Sequence, residues 1–243
     1  DLNSKINEIE EEEISILPYN IIPVNIFGRK KQIINQIMRS CEFKISNLLE
    51  IQQGIIYSGQ KKEDVFSNDK IDNSYKKILD GRDIKKWKIN WSSKEENKFI
   101  RYTSELHRPR DERIFLAQEK LLFPRKSTKI TVAYDNDQYY ALNTAYIGLL
   151  KNYDLNIKYI LAMLNSDVLN AIYQSYFVGW QITIPNIGLL PIPNSSKSNI
   201  DEIVELVNMK INCINDKEVD SRLKELIYSS YNLNNEDMKI LLD

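Results

Sequence analysis

Lys151-Asn-Tyr-Asp-Leu-Asn-Ile-Lys-Tyr-Ile-Leu-Ala-Met-Leu-Asn-Ser166, running on through Asp167-Val-Leu-Asn-Ala-Ile-Tyr-Gln-Ser-Tyr-Phe177, is the stretch whose reading decides the fold. Ile157, Ile160, Leu161, Leu164, Val168, Ile172 and Tyr176 recur at three- and four-residue intervals, the period of a helix with one buried face. Asn165-Ser166 breaks the run with two residues that favour caps and turns. The spacing therefore predicts two short helices, with Ser166 capping the second through its hydroxyl. An irregular segment, Trp180-Gln181-Ile182-Thr183-Ile184-Pro185, follows, and the stretch closes on Leu190-Pro191-Ile192-Pro193.

Working outward, 243 residues with 42% hydrophobic content can build a sizeable core, as one large domain or one domain with appendages. That composition excludes a disordered chain. The two cysteines, Cys41 and Cys213, stand far apart with no CxxC or Cys/His spacing. A disulfide framework and a zinc site are not expected, and a reducing cytoplasm is the default. No apolar run reaches the length of a membrane span, and no signal peptide is expected. The chain opens on Asp1 rather than Met, so a piece of a longer protein is expected.

The formal net charge is −1, but its distribution is uneven. From Arg82 to Lys129 there are 14 Lys/Arg and 7 Asp/Glu, so the remainder is acidic, with Glu10 to Glu13 contributing half of its excess. Such polarity serves a face that binds phosphates, or a solvated surface with scattered charge; charge alone does not choose.

Residues 1–13 read as a frayed helix or linker, and 14–27, with two prolines, as an extended connector. Ile33, Ile34, Ile37 and Met38 put a short amphipathic helix at 30–41. Residues 46–59 carry an apolar strand pattern, then a polar loop of Tyr57, Ser58, Gly59, Gln60, Lys61 and Lys62. Gly54 and Gly59 permit tight turns or close backbone approach. Ile130, Val132 and Tyr134 alternate with Thr131 and Ala133, and Asp135-Asn136-Asp137 turns into 138–142, which predicts a hairpin. A strand follows at 146–150. Past a polar linker at 195–198, Ile200, Ile203, Val204, Val207, Ile211 and Ile214 predict an amphipathic helix. A second helix is expected over 219–231, and a third begins where Asn234 caps and Leu233 packs on Met238.

The helix pair, its irregular sequel and the Leu-Pro-Ile-Pro close resemble the C-terminal specificity domain of TaqI-like adenine methyltransferases and fused restriction-methylation enzymes. The related specificity subunit of type I restriction systems is similar. Leu79-x-Gly81-Arg82-Asp83-Ile84-x-x-Trp87 is the most specific match, to the family's Gly-Arg-Asp-Ile motif. Gly54 to Gly59 matches the stretch that opens the family's domain. Arg125 stands at a strand end, Asn143-Thr144 precedes Tyr146, and Tyr228 to Leu233 parallels the family's terminal segment with Asn232 where Gly is usual. The resemblance spans residues 46 to 242.

The resemblance implies an α+β fold: a twisted, mainly antiparallel β region braced by the helix pair, with a helical C-terminal tail. It divides the chain into a connector and short helix (1–45), a target-recognition domain (46–195) and the tail (196–243). It implies recognition of a short sequence in double-stranded DNA for a restriction-modification enzyme, beside a catalytic domain in the same chain or complex. S-adenosylmethionine is then the parent's cofactor, with none expected in this chain. The candidate DNA contacts are Gln60, Lys61, Arg82, Lys85, Lys86, Arg101, Arg108, Arg110, Arg125, Lys126 and Gln181, with Trp87 packed beneath the lysines. Arginine forks suit guanine edges and phosphates. For Arg82 two readings stand: direct contact with DNA, or a tether from Asp83 that stiffens the loop.

The chemistry of catalysis is missing from the sequence. No (Asp/Asn/Ser)-Pro-Pro-(Tyr/Phe/Trp) tetrapeptide is present to hold a flipped adenine, nor a Gly-rich loop for adenosylmethionine. Glu96-Asn97-Lys98 has a nuclease-like Glu-x-Lys spacing but no acidic partner upstream, and reads as a solvated loop. His107, the sole histidine, has no nucleophile motif beside it. No catalytic residue is assigned. The alternative to a DNA reader is a protein-interaction module whose amphipathic tail docks a catalytic subunit.

Overall fold

The computed structural model describes residues 26–151, 154–177, 179–213 and 216–243. The acidic opening, and all but the last two residues of the 14–27 connector, lie outside the described residues.

The helix pair forms as its spacing predicts, over Ile157–Leu164 and Asp167–Tyr176. The Ser166 hydroxyl accepts the Leu169 N–H at the start of the second helix and donates to the Met163 carbonyl at the end of the first. Asn165, buried in the break, reaches sideways: its side chain exchanges two hydrogen bonds with the backbone of Val132, at 2.9 and 3.0 Å. The two polar residues that interrupt the apolar run thus stitch the helices to the β region.

Two four-stranded sheets make up that region. The first orders Leu49–Gln53, Ala145–Leu150, Lys120–Pro124 and Ala133–Asp135, all antiparallel. Leu121 and Phe123 face the helices, whereas Leu122 faces the second sheet, as the two-residue period of a strand dictates. Because both faces are covered, Lys120–Pro124 is buried throughout, which explains an unbroken apolar run where one-sided burial would give alternation. The second sheet orders Phe66–Ser67, Phe99–Arg101, Tyr75–Leu79 and Tyr140–Ala141. Only its last pairing is parallel, Ile78 opposite Tyr140.

The hairpin predicted over 130–142 does not form. Ala133–Asp135 pairs with Lys120–Leu122 in the first sheet, while Tyr140–Ala141 joins the second sheet beside Ile78–Leu79. Asp135 accounts for the divergence. Its carboxylate accepts the N–H groups of Asp137 and Tyr139 and pairs with Lys120 at 2.7 Å, both side chains fully buried. The turn is built around an internal ion pair and sends the chain across to the other sheet.

The predicted N-terminal helix runs Gly28–Ser40, and the tail forms helices Lys197–Ile211, Lys217–Ser230 and Asn235–Leu242. Asn234 caps the last of them by a reciprocal box with Asp237. The apolar faces of all four are buried in the same core as the helix pair, through Ile34, Ile203, Val207, Leu223, Ile227 and Leu241. The face that a docking helix would offer is therefore occupied internally. Leu190 to Pro193 is pinned beneath: the Tyr231 and Tyr159 hydroxyls donate to the carbonyls of Pro191 and Pro193, each at 3.0 Å. The result is an α+β fold with a C-terminal helical tail. No helix among the described residues is long and apolar enough to cross a membrane.

Candidate nucleic-acid interface

The Gly-Arg-Asp-Ile motif forms a tight turn between the two sheets. The Asp80 N–H donates to Asp83 Oδ2 at 2.8 Å, and the Asp83 N–H returns to the Asp80 carbonyl at 3.1 Å. Gly81 sits against the backbone of Thr144: an added Cβ would lie 2.7 Å from its carbonyl oxygen, so only glycine fits without a shift. The Gly81 N–H donates to Thr144 Oγ1 at 3.0 Å. Gly54 approaches the same segment from elsewhere, with a Cβ there falling 2.2 Å from the Ala141 carbonyl oxygen.

Asp80, not Asp83, tethers Arg82. Its carboxylate takes the Arg82 Nη2 at 2.7 Å and the Arg82 N–H at 2.6 Å, while the guanidinium stays 90% exposed. Burial works to raise the Asp80 carboxyl, but these bonds outweigh it and hold it below the usual carboxylate range. Asp83 is engaged inward. It meets Lys98 at 2.6 Å with both side chains buried, and Lys98 also meets Glu95 at 2.9 Å. The Glu-x-Lys segment is thus no solvated loop at its lysine: Lys98 is a buried strut, whereas Glu96 remains exposed.

Thr144 is the hub of the arrangement. Its carbonyl accepts the Arg125 N–H at 2.8 Å, and the Arg125 carbonyl accepts the Ile182 N–H at 2.9 Å. These bonds draw the 80–85 turn, the end of Lys120–Pro124 and the irregular 180–183 segment to one place. Between them lies a groove of about 620 Å³ lined by Arg82, Lys85, Lys126, Ser127, Thr131 and Thr144, among others. Five of the eleven candidates, Arg82, Lys85, Arg125, Lys126 and Gln181, line this groove or stand next in sequence to residues that shape it.

The other candidates are placed elsewhere. Lys86, next to Lys85, faces a second cleft on the helical side of the same turn. Arg110 turns inward at a positive φ of 69°, donating from Nε to the Gly54 carbonyl at 3.1 Å. Burial, and then the charge of Arg108, hold its guanidinium below its ordinary pKa. It secures the glycine crossing. Arg108 is exposed, while its backbone bridges to Ile56 through two hydrogen bonds. Arg101 is exposed on the second sheet opposite Tyr75. Lys61 is exposed in the polar loop, and neighbouring Gln60 holds its side-chain carbonyl oxygen buried with no hydrogen-bond partner.

One residue escaped the sequence reading. Trp180 is 62% exposed, the most exposed tryptophan, and Lys126 Nζ lies 5.7 Å from its ring centroid. An exposed tryptophan in an irregular segment was the available signal. Trp87 is half-buried against the core and bonded on both sides, its N–H to the Val132 carbonyl and its carbonyl to the Tyr134 N–H. These bonds hold it at a positive φ of 75°, which costs a non-glycine residue about 1 kcal/mol or more.

Fold and groove together define the class: an α+β module that presents a cationic groove between loops of rigid sheets. Residues 76–192 match the family model of the TaqI-like C-terminal specificity domain. The match starts within the strand before the Gly-Arg-Asp-Ile turn and ends at Ile192. Among solved structures, the chain is similar to the type IIL restriction-modification enzyme MmeI in complex with DNA. Identity is 10% and the TM-score 0.57, over 83% of this chain and 35% of that one. The chain therefore spans about a third of that enzyme's length. No curated protein matches it.

Proposed function

We propose that the 620 Å³ groove beside the Gly81 turn reads a short sequence in double-stranded DNA. The observation that carries this reading is the convergence of Arg82 and Lys85 with Lys126, from two separated segments, onto one groove, with Arg125 and Gln181 next in sequence to residues that shape it, inside the segment that matches the specificity-domain family. Lysines and the exposed Arg82 fork supply phosphate contacts that fix register. Gln181, Ser127 and Thr131 offer the short-range donors and acceptors that base edges require.

The whole protein is a restriction-modification enzyme, and a catalytic methyltransferase or restriction domain supplies the chemistry that this chain's sequence lacks. S-adenosylmethionine is the cofactor of that partner; this chain has no Gly-rich loop to hold it. The protein works in the cytoplasm, where its unpaired Cys41 and Cys213 stay reduced.

Selection from a randomised duplex pool at two salt concentrations tests the reading. Enrichment of one short motif, with affinity falling steeply as salt rises, is expected. Salt-insensitive retention, or no retention at low salt, would overturn it.

A further inference from the structure

On the other side of the Gly81–Trp87 segment lies a second cleft, of about 410 Å³, between that segment and the helical tail. Lys86, Trp87, Lys88, Lys210, Lys224 and Tyr228 line it, over an apolar wall of Leu223 and Ile227. Two carboxylates face the same space, and both are engaged. Asp220 pairs with Lys210 at 2.7 Å, and Asp167 stands 3.8 Å from Lys224. Four lysines against two aspartates leave an excess of positive charge. Among the described residues Lys86 has no ion-pair partner, its ammonium lying 5.4 Å from the Trp87 ring centroid, and Lys88 Nζ meets the Cys213 sulfur at 3.6 Å.

Two further features point to a ligand. The Asp167–Tyr176 helix starts at the cleft, with Asn165, Ser166 and Asp167 on its wall, and a helix start favours negative charge. Independently, Tyr228 is nine-tenths buried with the Lys224 ammonium beside it, and its hydroxyl proton meets no acceptor. A buried hydroxyl proton left without an acceptor is destabilising, and a ligand acceptor would remove that penalty.

We propose that this cleft binds a phosphate group carried on a small apolar body, held by Lys86 and Lys88 with Tyr228 donating its hydroxyl. A cleft of this size with an apolar wall and few polar groups has the make-up of a small-molecule site. Carboxylates are a poorer fit than phosphate, which has more acceptor oxygens for two ammonium groups and a hydroxyl. Burial in the cleft, partly opposed by Asp167 and Asp220, holds the Lys86 ammonium below its ordinary pKa, and a bound anion relieves that. The inference does not rest on the reading of the first groove. The ligand is thus a free phosphomonoester; a DNA strand that passes over the shared turn would bring phosphate without an apolar body to fill the cleft.

Isothermal titration of the whole chain with adenosine monophosphate, and separately with inorganic phosphate, tests the site. One-site binding of the nucleotide is expected, weakened about tenfold or more in Lys86→Ala/Lys88→Ala. Lys70→Ala, an exposed lysine lining neither cleft, should leave it unchanged. Tyr228→Phe should weaken the nucleotide without lowering the melting temperature. Undisturbed nucleotide binding beside a short duplex supports the site, and displacement by the duplex assigns the phosphate to DNA and overturns the small-molecule reading. No saturable heat with either probe, or binding unchanged in the double lysine variant, overturns it.

Discussion

Lys98 Nζ lies 2.6 Å from Asp83 Oδ1, with both side chains less than a tenth exposed, and the pair ties the Gly-Arg-Asp-Ile turn to the second sheet. Asp83 Oδ2 accepts the Asp80 N–H at the same time, so one carboxylate holds the turn's shape and its position. Breaking a buried pair leaves a charge without a counter-charge, which costs about 3–5 kcal/mol. Lys98→Met should therefore destabilise the chain by about that amount, as read by denaturant unfolding. Lys98→Met with Asp83→Asn should recover part of the loss, because the amide oxygen still accepts the Asp80 N–H. Equal stability of Lys98→Met and the parent would show the pair to be idle.

The groove side chains should separate by what they do. Arg82→Ala with Arg125→Ala is expected to weaken DNA binding about tenfold or more while leaving the fold intact, since Arg82 projects into solvent. Lys126→Ala should weaken binding to all sequences evenly and lower the salt slope by about one. Fluorescence anisotropy at several salt concentrations distinguishes the two patterns. An unchanged salt slope for Lys126→Ala would remove it from the phosphate contacts.

Trp180, mostly exposed at the groove's edge with Lys126 over its ring, has the character of an interface anchor, a large rigid apolar surface with a cation beside it. Trp180→Ala should reduce duplex affinity about tenfold and raise the dissociation rate more than it slows association. Its indole fluorescence should shift on DNA addition, and the variant should lose that shift. Parental affinity in the variant would leave the tryptophan outside the interface.

Asp80 also gives a pH dependence. Its folded pKa lies below its unfolded value, because the Arg82 bonds outweigh burial. The stabilisation is fully present above the unfolded value, near pH 3.9, and is lost as pH falls through the folded one. Thermal melts carried below about pH 4 should show the parent losing stability through this interval. Arg82→Ala, whose Asp80 keeps only the backbone N–H bond, should begin to lose stability at higher pH. Superimposable acid profiles would count against the tether.

Some of this was legible in the sequence for local reasons. The helix pair, the Ser166 and Asn234 caps and the tail helices follow from periodicities and side chains within a few residues of each other. The 130–142 hairpin was not legible, because the choice between a tight turn and a crossing is made by Lys120, fifteen residues before Asp135. The Glu-x-Lys segment looked solvated for a similar reason: its partner, Asp83, comes from another turn. Lys85 and Lys86 read as one basic patch, yet the tight turn closed by the Lys85 N–H on the Lys88 carbonyl places them in two different clefts. Arg82, Lys85 and Lys126 share the first groove because Thr144 joins their segments, and no local pattern marks Thr144 as a hub.

The two motif glycines, Gly54 and Gly81, press bare backbone against the same short run, from Ala141 to Thr144. Alanine at either should strain the crossing and lower the melting temperature, with Gly54→Ala the worse because its contact is closer. The groove's framework is thus keyed by main-chain atoms, with the Asp83 and Thr144 side chains and the Asp80–Arg82 tether, while Lys85, Lys126 and Gln181 project from it. Recognition can then drift: Lys85, Lys126 or Gln181 can be exchanged one at a time without reshaping the frame beneath them. A module organised in this way is retargeted by editing its letters while its page stays fixed.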